Sequence, residues 1–187
     1  MSVVLPIHDA DTAMRLRHTV MQGEAKASAD KSVVMSTILG SCVATCLFDP
    51  TAGVGGMNHF LLGEPPEGSR DQNFDRNYGL YLMELLINEM LQLGARKSHM
   101  KGRLYGGANL NTDFAAIGSA NAKFAREFLR REGIVQVYED LEGHHARRIQ
   151  FRPASGQVRC HEVAKYEAPK EKPPVRPQSA VGAVELF

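Results

Sequence analysis

A chain of 187 residues with 43% hydrophobic and 23% charged residues is long enough for one well-buried domain and too short for two comfortable ones with linkers. Twenty-two Lys and Arg against twenty-one Asp and Glu leave a formal charge of +1, which supplies no broad field for a phosphate backbone or an anionic membrane surface. That balance argues against nucleic acid as a partner, and the longest uncharged run, residues 32 to 48, is broken by Ser, Thr and Gly, which argues against stable membrane insertion.

The first residues, MSVVLPIHDADTAMRLRHTV, lack the basic start and continuous apolar middle of a secretory signal, so a cytoplasmic location is expected. Residues 1–22 read as an N-terminal arm, and GEAKAS from Gly23 as the entry into a domain extending to residue 165. SVVMSTIL, SCVATCLF and VGGMNHFLL are rich in β-branched and apolar residues and are separated by Gly40 and the turn DPTAG, which predicts two or three adjacent strands. Leu82, Leu85, Leu86, Met90 and Leu93 repeat at helical spacing, with Gly94 placed to end the helix. KGRLYGG is a further strand. Ser119 is placed to cap a second helix in which Phe124, Phe128 and Leu129 share a face before Gly133.

IVQVYEDL, ARRIQFRP and QVRCHEVA read as three more strands, the last two joined through ASGQ as a hairpin. The order predicts an α/β fold, a layered sandwich of mostly antiparallel β-sheet with helices packed on one side. Arg126, Arg130 and Arg131, and the pair Arg147 and Arg148, read as solvated faces. Residues 166–187 hold four prolines between Pro169 and Pro177 and read as a disordered tail.

The residues that suggest chemistry are Cys42 and His59. A histidine can take a thiol proton, and a hairpin turning through DPTAG brings the start of one strand level with the end of the next. The same pair suits core packing, and a zinc site shared with Cys46 and His161 is a third reading, without a CxxC knuckle behind it. Three cysteines form no disulfide framework.

LGSCVATCLFDPTAGVGGMNHFLL resembles the active-site region of the chemoreceptor glutamine deamidases, the CheD family. GEAKAS is similar to that family's N-terminal strand, LYGGANLN to its glycine-rich segment and IGSANAKFAREFLRREGI to its following helix and strand, so the resemblance spans about Gly23 to Lys165. It implies that Cys42 is the nucleophile, that His59 is the general base, and that a third hydroxyl orients the imidazole. Ser36 stands six residues before the cysteine, with Thr37 as the alternative. The family's Gly-Leu-Gly ahead of Ser-Cys is Ile38-Leu39-Gly40 here, without the first glycine.

The implied reaction is hydrolysis of glutamine side chains on the cytoplasmic helices of chemoreceptors through a thioester, without cofactor or metal. The implied substrate-binding residues are Gly106, Gly107 and Asn109, and a CheC-type phosphatase is a further partner of some family members. A non-catalytic adaptor using the same surface is the competing reading.

Overall fold

The computed structural model describes residues 16–61, 79–110 and 115–164. Among the described residues nine strands form two sheets, and two α-helices lie on one of them. The proline-rich tail and the first 15 residues lie outside the described residues.

The first sheet contains β1 (Leu16–Thr19), β3 (Val33–Leu39), β8 (Ala146–Arg152) and β9 (Gln157–Val163), in the order β1-β3-β8-β9. Its pairs are antiparallel except β1 with β3. Leu16–Thr19, within the stretch read as an arm, is therefore an edge strand whose exposed residues are held by backbone pairing. β3 alternates buried and half-buried residues: Val33, Met35, Thr37 and Leu39 face inward, while Val34, Ser36 and Ile38 face the other way.

The second sheet holds β2 (Glu24–Ser28), β5 (Val54–His59), β4 (Val43–Asp49), β6 (Lys101–Gly106) and β7 (Val135–Leu141), in the order β2-β5-β4-β6-β7. β4 and β5 form the expected hairpin, with Cys46 opposite Met57 and Asp49 opposite Val54. The turn is held by Asp49, whose Oδ1 accepts the N–H groups of Thr51 at 2.8 Å and Ala52 at 3.1 Å, while Oδ2 accepts that of Arg96 at 2.9 Å. All seven residues of β4 are buried, because this central strand has helices on one face and the other sheet on the opposite face.

Helix α1 (Gly79–Gln92) packs on β2 and β5, and α2 (Ala115–Arg131) on β4, β6 and β7, so both helices cover the outer face of the second sheet. This agrees with helices packed on one side of a mostly antiparallel sandwich. β6, α2 and β7 form the sole strand–helix–strand crossover with parallel strands among the described residues, as a crossover helix requires.

Two cores follow from three layers. Val43, Leu47, Phe60, Leu82, Leu86, Met90, Phe124, Phe128 and Leu129 fill the space between helices and sheet. Met35, Leu39, Cys42, Ala44, Cys46, Met57, Tyr105, Ile149 and Phe151 fill the space between the sheets.

Three local expectations need correction. The strands SVVMSTIL and SCVATCLF are not neighbours: β3 pairs with β8, and the chain crosses from one sheet to the other through Gly40, Ser41 and Cys42. Ser119 lies inside α2, where its hydroxyl oxygen accepts Asn109 Nδ2 at 3.2 Å, so it does not cap the helix start. Leu93 is 46% exposed, because α1 ends at Gln92 and Gly94, at φ 94°, turns the chain away.

Arg147 also departs from the solvated reading. It is 7% exposed, and its guanidinium donates to Asp140 Oδ1 at 2.8 Å and to the carbonyl oxygens of Glu142 at 2.6 Å and Gly106 at 3.3 Å. Consecutive strand residues point to opposite faces, so one of two adjacent arginines has to face the interior.

Candidate active site

Cys42 and His59 both lie at the open end of the β4–β5 hairpin. Val43 and Phe60 exchange two backbone hydrogen bonds of 2.9 Å just beyond the regular ladder, extending the register to the residues beside them. In that register Ala44 faces His59, and Cys42 stands two residues before Ala44, at the bend that leads into β4. Cys42, Ala44, Cys46 and Met57 all point into the space between the sheets. Cys42 is 6% exposed and His59 5%.

The imidazole is oriented from the facing sheet. His59 Nδ1 lies 2.9 Å from Thr37 Oγ1 and 3.3 Å from the carbonyl oxygen of Val20. A carbonyl can only accept, so Nδ1 carries the proton and Nε2 keeps its lone pair. Nε2 is buried and hydrogen-bonds to nothing among the described residues. Burial brings the imidazole pKa down to about 4, against the smaller opposing effects of the Val20 carbonyl and the Glu24 carboxylate. The ring is therefore neutral at physiological pH, with a basic nitrogen in a water-poor setting.

Of the two hydroxyls considered from sequence, Thr37 is the one that meets His59. Ser36 sits on the opposite face of β3, and its carbonyl accepts the Val20 N–H at 2.9 Å. The difference is one of strand parity: inward residues of β3 are the odd-numbered ones.

The backbone around Cys42 is braced by the glycine-rich segment. Gly107 N–H donates to the Cys42 carbonyl at 2.7 Å, and Ala108 N–H to that of Gly40 at 2.8 Å. Gly106 has φ 104°, and a Cβ there would stand 2.1 Å from the Cys42 carbonyl oxygen, so the position admits no side chain. Gly106 and Gly107 thus support the cysteine from its backbone side.

Asn109 lies further along. Its backbone N–H donates to Gly143 at 2.8 Å, its carbonyl oxygen lies 3.2 Å from His144 Nδ1, and its Nδ2 donates to Ser119. Gly55 and Gly56, next to the histidine strand, are approached by the protein itself: a Cβ would stand 2.3 Å from the Pro153 carbonyl oxygen and 2.5 Å from Leu86 Cδ1, respectively.

Two residues outside the sequence-based candidates belong to this neighbourhood. Asn121, fully buried in α2, donates Nδ2 to the Ser41 carbonyl at 3.1 Å and fixes the residue before the cysteine. Gln22, in the turn between β1 and β2, accepts a hydrogen bond from Cys42 Sγ at 3.6 Å on Oε1. Neither carries a local signal: both contacts join residues 20 or more apart in the chain, and the polar side chains alone would read as helix-surface and turn residues.

The other two cysteines, Cys46 and Cys160, are held as thiols. Burial pushes the Cys46 thiol far above the ordinary cysteine range, and burial with the nearby Asp140 carboxylate pushes Cys160 up to about 12. Cys46 is fully buried core, inert as a nucleophile at neutral pH. Among the described residues no group of three or more His, Cys, Asp or Glu side chains is placed to hold a metal ion.

Fold and site define an α/β sandwich protein that sets a cysteine and a tautomer-fixed histidine on one strand hairpin. Residues 61–162 match the family model described as CheD chemotactic sensory transduction. Relatives described as probable chemoreceptor glutamine deamidase CheD are 47% identical in Zymomonas mobilis, over 95% of this chain and 100% of that one, and 46% identical in Caulobacter vibrioides, over 96% and 98%. One from Agrobacterium fabrum is 44% identical over 90% of this chain and 94% of its own. The chain belongs to the CheD family.

Proposed function

We propose that this protein is a chemoreceptor glutamine deamidase that hydrolyses the side-chain carboxamide of receptor glutamines to glutamate and releases ammonia, with Cys42 as nucleophile and His59 as base. Its support is the full-length similarity to relatives carrying that name. The observation that supports the residue roles is the Thr37–His59–Val20 contact, which puts the proton on Nδ1 and leaves the buried Nε2 with its lone pair.

The pair is neutral at rest, because a histidine with a pKa near 4 does not hold a proton taken from a thiol at pH 7. Proton transfer from Cys42 Sγ to His59 Nε2 accompanies attack on the carboxamide carbon. The imidazolium, stabilised by Thr37 Oγ1 and the Val20 carbonyl, then protonates the departing nitrogen, and ammonia leaves with formation of a thioester. Water deprotonated by the neutral imidazole cleaves the thioester, restoring the thiol and yielding glutamate. Each turnover turns a neutral amide into a carboxylate, so the receptor helix gains one negative charge and a methyl-acceptor glutamate.

A substrate on receptor cytoplasmic helices fits a cytoplasmic location for the protein. A CheC-type phosphatase fits the same reading as a competitor for the receptor-binding face. The domain read from sequence as residues 23–165 takes in β1 and the β1–β2 turn as well, because Leu16–Thr19 pairs with β3 and Val20 contacts His59, and Gly106 and Gly107 act on the substrate through the Cys42 backbone they support.

The test is incubation with a receptor cytoplasmic fragment, following ammonia release and a mass gain of about 1 Da per converted glutamine. Wild-type protein converts glutamine and Cys42→Ala does not. Equal conversion by both, across several receptors, removes the cysteine mechanism; no conversion by either, with retained receptor binding, favours the adaptor.

A further inference from the structure

The turn between β1 and β2 crosses from one sheet to the other directly over the cysteine–histidine pair, and His59 holds both of its ends. Val20 at its start offers its carbonyl to His59 Nδ1 at 3.3 Å, and Gly23 at its end donates its N–H to the His59 carbonyl at 2.8 Å. Within it, Glu24 N–H donates to the Met21 carbonyl at 3.0 Å and Met21 N–H to Glu24 Oε2 at 2.9 Å. The backbone is therefore fixed, and Gln22, between those anchors, is exposed yet turns its carboxamide onto the buried thiol: Oε1 accepts from Cys42 Sγ at 3.6 Å.

Two consequences follow from that contact. A thiol attacking a carboxamide has to bring its sulfur within about 3–3.5 Å of the carbon, so a substrate carboxamide and that of Gln22 cannot occupy the space over Sγ together. A hydrogen bond accepted from S–H also stabilises the neutral thiol relative to the thiolate. The group that covers the nucleophile is chemically the same as the group the deamidase reaction consumes.

We propose that Gln22 is a resident substrate mimic, whose carboxamide holds the place over Cys42 that an incoming glutamine carboxamide takes, so that substrate enters by displacing it. This rests on Cys42 being the nucleophile. The long, weak S–H···O contact and the exposure of Gln22 make displacement a side-chain rotation over the anchored turn, with no backbone rearrangement. A receptor glutamine thus competes against an identical functional group, and a side chain without a carboxamide has no such match.

The test is the rate of Cys42 alkylation by iodoacetamide in the full-length protein without receptor, read by mass spectrometry of the Cys42 peptide. Gln22→Ala should be alkylated about 3–10-fold faster than wild type at pH 7, and Gln22→Glu more slowly, because a carboxylate disfavours the thiolate. With receptor fragment, Gln22→Ala should lower KM without lowering kcat. Alkylation of Gln22→Ala no faster than wild type would overturn the proposal, as would a loss of kcat at unchanged KM, which is the signature of a group that acts on the transition state. Alkylation needs no receptor, so the two readings separate. Faster alkylation in a protein that deamidates nothing leaves the cover over the thiol and removes the deamidase; deamidation with unchanged alkylation removes the mimic alone.

Discussion

Thr37 Oγ1 and His59 Nδ1 stand 2.9 Å apart across the gap between the two sheets, joining the inward face of β3 to the end of β5. The contact links one sheet to the hairpin that Cys42 leads into. Removing it with Thr37→Ala is expected to lower kcat about 10-fold, the worth of one buried hydrogen bond, whereas Ser36→Ala should stay within about 2-fold of wild type. Ammonia release from a receptor fragment decides between them, and an equal loss in both variants would remove Thr37 from the site.

The depressed pKa of His59 sets a pH dependence of definite sign. Burial holds the folded-state value at about 4, below the ordinary 6.5 of the unfolded chain. Between those values the unfolded state binds a proton that the folded state does not, so stability falls as pH drops from 6.5 toward 4, by at most about 3 kcal/mol, and this contribution is flat above 6.5. Urea denaturation at pH 7, 5.5 and 4.5 should show wild type losing more than His59→Gln. The acid limb of kcat/KM should fall below pH 5 and leave activity near pH 6 intact; a limb centred near 6.5 would contradict a buried neutral imidazole.

Gly106 and Gly94 offer a paired test of space against backbone strain. Both have positive φ, 104° and 94°, but a Cβ at Gly106 meets the Cys42 carbonyl oxygen at 2.1 Å, whereas one at Gly94 has nothing within 4 Å. Gly94→Ala should cost about 1 kcal/mol in denaturant titrations and leave activity alone. Gly106→Ala should cost more and lower kcat, because the clash is relieved by moving the Cys42 backbone. Equal effects on activity would show that the glycine-rich segment does not position the cysteine.

Arg147 closes the other end of that segment, donating to the Gly106 and Glu142 carbonyls and to Asp140. Arg147→Ala leaves these acceptors, and the His145 carbonyl, without their guanidinium donor and should destabilise by about 2–4 kcal/mol. Lys123→Ala, on the exposed face of α2, should change stability by less than about 0.5 kcal/mol. A shift in the chemical denaturation midpoint measures both, and an unchanged midpoint for Arg147→Ala would mean that water replaces the guanidinium without cost.

The elements readable in the chain were those whose signal is local. Helical spacing through Leu82, Leu86 and Met90 located α1, though its last expected core residue, Leu93, falls beyond the helix and into solvent. α2 begins at Ala115, so Ser119 lies within it, its hydroxyl engaged by Asn109 and not by a helix N-terminus. Arg147 and Arg148 looked alike as a basic pair, yet strand alternation gives them opposite faces, and composition carries no information on which face is buried.

By itself the sequence determined the β4–β5 hairpin: the Asp-Pro turn brings Cys42 and His59 to about the same level across the pair, since turn chemistry acts between near neighbours. Only the tertiary structure decided what faces that pair. β3 leaves its chain neighbour for the opposite sheet, which brings Thr37 over the imidazole, and the β1–β2 crossing carries Val20 to its Nδ1 and Gln22 to the thiol. Those contacts arise from packing two sheets face to face, a distance and register that no repeat within a single strand encodes.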